Sequence, residues 1–306
     1  MTPFFSIIIP LYNKEYFVKN TITSILNQSF KDFEIIVVND GSTDNSLDIV
    51  KTFKDQRIRV LTTKNQGVSS ARNYGIKKAN AKYIAFLDAD DLWETSYLQT
   101  IHNLIIGYPK ESIFASALKI KKGGNYHLSK YKDLDLKKGE TARLNYFKSS
   151  KKQSILHCSS VVIKKTIFKK IGGFNSNLKT GEDTDLWIRI GLKYPVVFIH
   201  KYLVTHLALN SGLTSTNRSY FKPINFSEYE NKSQDIDFKS FLNKNKFSSA
   251  LKLKITKDMR CFNQLKQTIN FDMLSVKQRL ALTVPRLILL AYLYLHSLFS
   301  NEKKFF

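Results

Sequence analysis

The chain has 306 residues, 43% of them hydrophobic, and a formal net charge of +23. That is enough for one large domain with an appendage or for two ordinary domains, and too apolar for wholesale disorder. Its two cysteines, Cys158 and Cys261, lie far apart without metal-ligand spacing, which argues against a cysteine metal site or a disulfide framework and fits a reducing compartment.

The first 110 residues alternate apolar runs of strand length with segments of helical period. Strands are predicted over 5–9, 33–38, 58–61 and 83–87, with helices over 15–26, 44–53 and 68–79 between them. The opening run lacks the basic flank and small-residue cleavage site of an export signal, so it reads as a strand closed by Pro10, and a cytoplasmic protein is expected. Strands separated by helices of this length predict βαβ units, a mostly parallel sheet and a doubly wound α/β layer. Each strand is followed by a polar, Gly-bearing or acidic cluster: PLYNKE, NDGSTD, TKNQG and DADD. In open α/β sheets this is the edge that binds ligands.

Beyond residue 110 the rhythm breaks. Strands are predicted over 113–120, 155–163, 196–199 and 202–209, with a basic surface excursion over 121–152. A short helix should end at Gly172 and Gly173, and another should start near Thr180 or Gly181. The final 85 residues are basic and helical in pattern, and 280–299 is the most apolar stretch. It could lie in a membrane interface, pack on protein, or span a bilayer, although Arg286 near the bilayer centre would cost about 2.5 kcal/mol or more. Charge is uneven: residues 1–110 carry 13 basic against 11 acidic side chains, and 111–306 carry 35 against 14. The excess suggests an anionic partner, either nucleic acid or a membrane surface, or else simply a solvated lysine-rich face.

Four clusters carry chemistry. Asp88, Asp90 and Asp91 end the fourth strand, and crowded carboxylates of this kind are relieved by Mn2+ or Mg2+, which bind through one or two carboxylates plus substrate phosphates. Asp91 could instead cap a helix starting near Trp93. Asp40, in VVNDGSTDNS, could accept from a ribose or a base. Arg72 sits in the first turns of a helix in NQGVSSARNYG, where a helix N-terminus and a guanidinium both favour phosphate. Glu182, Asp183 and Asp185 open a helix in GEDTDLWIR, where a carboxylate could act as a general base, though acids also suit a helix start. No G-x-G-x-x-G follows the first strand and no P-loop is present.

Taken together and in order, SIIIPLYNKE, FEIIVVNDGSTDNS, NQGVSSARNYGI, YIAFLDADDLW, GGF and GEDTDLWIRI resemble the family 2 glycosyltransferases, inverting enzymes of the GT-A nucleotide-sugar fold, over roughly 4–195. The resemblance implies that Pro10 and Tyr12 line a nucleotide pocket, with Asp40 and Asn65 near the base. It puts Arg72 near base and diphosphate, Asp88 near the ribose or donor sugar, and Asp90 on the metal. Asp183 would be the catalytic base, with Glu182 beside it. His206 is the available third metal contact, although the resemblance would set that ligand nearer Leu209 or Asn210.

The expected organisation is a GT-A domain over 1–220, split at 110 into nucleotide- and acceptor-binding halves, and a basic helical region over 221–306. The expected activity is metal-assisted single displacement from a nucleotide sugar, UDP being common in the family, onto a glycan or lipid-linked hydroxyl at the inner face of a membrane. A metal-dependent nucleotidyltransferase is the alternative enzyme. A specific nucleic-acid binder is disfavoured by the near-neutral first 110 residues and the lack of a basic-aromatic module.

Overall fold

The computed structural model describes residues 2–131, 134–208 and 224–299. The chain divides into two compact units, Met1–Gly212 and Leu213–Phe306; the boundary expected at 220 falls outside the described residues.

In the first unit, β1 (Phe5–Leu11), β2 (Phe33–Asn39), β3 (Ile58–Thr62) and β4 (Tyr83–Phe86) run parallel, linked by α1 (Val18–Leu26), α2 (Ser46–Thr52) and α3 (Val68–Lys78). β2 and β4 are buried at every position and β1 at all but Pro10. That explains their unbroken apolar runs, since strands covered by helices on both faces need no alternation. α3 packs tightly on β1 at Gly75, where a Cβ would stand 2.5 Å from a methyl of Ile8. Any larger side chain would push α3 off β1.

The sheet continues through β5 (Leu92–Trp93), β6 (Ile113–Lys122), β7 (Asn125–Leu128), β8 (Thr141–Leu144), β9 (Val161–Lys164) and β10 (Val196–Leu207), in the order β3-β2-β1-β4-β9-β6-β10-β5, with β7 on β6 and β8 on β10. The helices here are α4 (Tyr97–Gly107), α5 (Tyr146–Ser149), α6 (Thr166–Ile171) and α7 (Glu182–Gly191). The strand order reverses beside β1, so the loops after β1 and β4 diverge and leave a crevice at their carboxyl ends.

Three expectations change. The excursion over 121–152 contains β7, β8 and α5. The two strands expected over 196–209 are one strand through Leu207, irregular between Ile199 and Val204, where His200 and Lys201 interrupt the apolar pattern; Leu209 lies outside the described residues. The strand expected over 155–163 begins only at Val161, after a 3-10 turn at Cys158–Ser160. Elsewhere α6 ends at Gly172 and α7 starts after Gly181, as read from the sequence.

One buried carboxylate knits the parallel strands. Glu34 of β2 accepts from Ser6 Oγ at 2.6 Å, Asn80 N at 2.6 Å, Asn80 Nδ2 at 3.0 Å and Arg59 Nη1 at 2.9 Å. Burial pushes its carboxyl up, but Ser6, Asn80 and Arg59 outweigh this and hold it below the usual range. Its contribution is therefore present at neutral pH and is lost as pH falls through the folded-state pKa. Glu34→Ala is expected to destabilise by about 2 kcal/mol at pH 7, through the donors left unpaired. Urea unfolding should show the gap from wild type narrowing in acid.

The second unit holds α8 (Ile236–Ile255), α9 (Met259–Gln267), α10 (Val276–Thr283) and α11 (Arg286–Phe299) around Phe247, Leu251, Phe262, Leu282 and Leu289. The apolar stretch 280–299 is thus two helices broken at Val284 and Pro285. Buried Lys254 secures the break by donating to the carbonyls of Ala281 at 2.9 Å and Val284 at 2.5 Å. Arg286 donates to the Ile255 carbonyl at 3.0 Å. Among the described residues no helix is long and apolar enough to cross a membrane.

Candidate functional site

The DADD segment is a tight turn, closed by Asp91 N donating to the Asp88 carbonyl at 2.9 Å. Thr21 of α1 holds it from beneath, its hydroxyl reaching the carbonyls of Ala89 at 2.9 Å and Asp91 at 3.0 Å. The three carboxylates then part company. Asp88 pairs with Arg72 Nη2 at 2.7 Å, Asp90 with Lys14 Nζ at 2.5 Å, and Asp91 turns into the protein and is fully buried. Asp91 is no helix cap: Trp93 lies in β5 and α4 starts at Tyr97.

Arg72 is the bridge of the site. Its Nη1 also pairs with Glu182 at 3.2 Å, and its guanidinium lies 5.1 Å from the Phe174 ring centre. The acidic turn after β4 and the acidic start of α7, some ninety residues apart in sequence, thereby meet on one buried cation. Burial acts against the charge of Arg72, but Asp88 and Glu182 outweigh it and hold the guanidinium protonated. In return, burial pushes Asp88 up but Arg72 draws it below the usual range. Glu182 goes the other way: burial and Asp183 raise it against the pull of Arg72. Asp183 Oδ1 accepts from Thr184 N at 2.6 Å, and Oδ2 has no partner among the described residues.

Asp90 is raised by burial and by Asp91, and Lys14 relieves only part of that. A carboxylate so placed would gain from a divalent cation. A second ligand stands nearby. Asp91 Oδ1 accepts from His206 Nδ1 at 3.0 Å and Leu207 N at 3.0 Å, and its Oδ2 from Ser159 Oγ at 2.5 Å. With Nδ1 so engaged, His206 in its neutral form would present Nε2 to a metal, the usual way a carboxylate orients a metal-binding imidazole. Burial opposes protonation of His206, but Asp91 prevails and its pKa rises to about 8. His157 completes a group with Asp91 and His206 whose ligand atoms lie within 4.8 Å of one another. The oxygens of Asp91 are already bonded to His206, Leu207 and Ser159. Asn210 lies outside the described residues.

The other candidates line the same edge. Pro10 lies within β1, which runs one residue past it to Leu11 rather than closing there, and Tyr12 is 41% exposed beyond the strand. Asp40 is buried, its Oδ1 accepting from Thr63 Oγ1 and Gln66 N at 3.0 Å and its Oδ2 from Gly67 N at 2.7 Å. It thus fastens the loop that carries exposed Asn65 and leads into α3. Gly41, at φ +74°, brings the two loops together: a Cβ there would meet Asn65 N at 3.0 Å.

Sequence reasoning missed Lys14, His157 and Ser159. Ser159 is the junction of the site: beyond Asp91, its hydroxyl accepts from Asp88 N at 3.2 Å and its carbonyl from Trp93 Nε1 at 2.7 Å. The 3-10 turn that interrupted the expected strand aims these groups at the acidic turn.

The profile of glycosyl transferase family 2 matches residues 6–172. An uncharacterized glycosyltransferase of Rickettsia typhi is 32% identical over 70% of this chain and 67% of its own length. The minor teichoic acid biosynthesis protein GgaB of Bacillus subtilis is 35% identical over 60% of this chain but only 20% of its own. The chain spans 26% and 32% of two longer rickettsial relatives. Among solved structures, S. aureus TarS residues 1–349, crystallised with UDP-GlcNAc, matches 91% of this chain and 78% of its own at a TM-score of 0.61 and 19% identity. The central sheet flanked by helices is thus the fold that TarS shares.

Proposed function

The chain belongs to glycosyl transferase family 2, and from that premise we propose that it transfers a sugar from a nucleoside diphosphate donor to an acceptor hydroxyl with inversion. The observation that carries this reading is the bridge through Arg72, which joins Asp88 to Glu182 and so brings Asp183 beside the acidic turn. The UDP-GlcNAc complex of TarS favours a uridine nucleotide. Pro10, Tyr12 and the Asp40-fastened loop with Asn65 border the base. Asp88, held ionised by Arg72, faces the ribose or donor sugar. Asp183 offers its unpartnered oxygen to the acceptor hydroxyl, takes the proton as the new bond to the anomeric carbon forms, and the electron pair of the breaking bond leaves with the diphosphate.

Asp90 and His206 would hold Mn2+ or Mg2+, which supplies charge stabilisation to a diphosphate. Lys14, the present partner of Asp90, would then be available to pair with donor phosphates. Chelation is expected to lower turnover, and added Mn2+ to restore it. Full activity in excess chelator would remove the metal from the account.

For the acceptor, the kinship with GgaB, a minor teichoic acid biosynthesis protein, favours a cell-surface polymer. In the second unit Val276, Leu280, Leu287, Ile288 and Leu295 are each more than half exposed, with Lys277 and Arg279 close in sequence. Apolar side chains with cations at their margin suit an anionic membrane face. Leu287→Asp with Ile288→Asp is expected to reduce sedimentation with phosphatidylglycerol vesicles. The direct test of the reaction offers a panel of nucleotide sugars with Mn2+ and lipid-linked acceptors. Nucleoside diphosphate release that depends on acceptor is expected; pyrophosphate release from a nucleoside triphosphate would favour a nucleotidyltransferase.

A further inference from the structure

His157 stands among Asp88, Asp91, Asp183 and His206 and has no role yet. Its ring centre lies 4.9 Å from that of His206. Ser159 N donates to its Nδ1 at 3.2 Å. A ring nitrogen that accepts an N–H carries no proton, so the neutral ring holds its hydrogen on Nε2. Among the described residues that Nε2–H has no partner, and the side chain is only half-buried. The same tautomer argues against His157 as a metal ligand, since Nε2 would have to give up its proton. A fixed donor facing a cleft of carboxylates, and bonded to none of them, suits an anion that arrives with substrate.

We propose that His157 donates its Nε2–H to the diphosphate of the nucleotide bound in this cleft, an inference that rests on the reading of the site as a nucleotide-sugar transferase. The diphosphate is the partner because it brings acceptor oxygens only, and because His157 sits beside His206 on the side assigned to the cation. No proton is transferred by His157. Its hydrogen bond strengthens as charge gathers on the departing oxygen, as preorganised donors do in a partly dry site.

The test measures binding of UDP, GDP and CDP with Mn2+ by calorimetry, takes the tightest, and compares it with its phosphate-free nucleoside. His157→Asn keeps an acceptor near Ser159 N but lacks a donor at the Nε2 position, whereas His157→Gln can reach that position with an amide N–H. Asn is expected to weaken the diphosphate about tenfold, the size of one hydrogen bond to a charged group, while nucleoside affinity and melting temperature hold. Gln should recover most of the loss. Wild-type affinity in the Asn variant, or equal loss of nucleoside and diphosphate, overturns the proposal. If the wild-type protein binds no nucleoside diphosphate, the transferase reading falls and takes this inference with it.

Discussion

Asp183→Asn is expected to lower turnover by about 10²- to 10⁴-fold, the range set by removal of a general base, with nucleotide affinity nearly unchanged. The amide keeps the shape of the side chain, and its oxygen can still accept from Thr184 N at the start of α7. What it loses is the capacity to take a proton at the oxygen that has no protein partner. Glu182 is a poor substitute, because its carboxylate is committed to Arg72. Steady-state turnover beside calorimetric affinity for the donor separates the two effects. A parallel loss of both would make Asp183 a folding residue.

Arg72→Met is expected to do the reverse, harming binding and stability together. It leaves Asp88 and Glu182 facing each other across an apolar chain. Breaking a buried ion pair by removing one partner costs about 3–5 kcal/mol; the lower end applies here because the Asp88 side chain is 28% exposed. Arg72→Lys should recover part of the stability but not donor binding, since one ammonium cannot bridge two carboxylates as a guanidinium fork does. Urea unfolding and nucleotide titration of both variants provide the check. Wild-type nucleotide affinity in Arg72→Met would show that joining the two acidic motifs is unnecessary.

The elements legible in the sequence are those whose signal is local. β1, β2 and β4 announce themselves as apolar runs because both of their faces are covered, and α1 to α3 by their spacing between those runs. The acidic turn after β4 is legible as well, since Asp88, Asp90 and Asp91 adjoin in sequence. Their division of labour is not. Which aspartate meets Arg72, which meets Lys14 and which is buried against Ser159 depends on partners 16, 76 and 68 residues away. His157 and Ser159 are hidden for a further reason. They fall in a stretch apolar enough to read as strand, and the turn at Cys158–Ser160 is held by bonds to residues of the acidic turn and β5 as well as by the His157 cap. The local pattern thus fails where the chain departs from regular structure to build the site.

The proposed transfer requires the acidic turn and the start of α7 to form one donor site. Calorimetric titration with UDP-GlcNAc in the presence of Mn2+, run on wild type, Asp88→Asn, Asp90→Asn and Asp183→Asn, tests this most directly. Saturable binding is predicted for wild type and Asp183→Asn, with losses of about tenfold or more in Asp88→Asn and Asp90→Asn. Equal affinity in all four proteins, or wild-type protein that binds neither this nor any other nucleotide sugar, would contradict it.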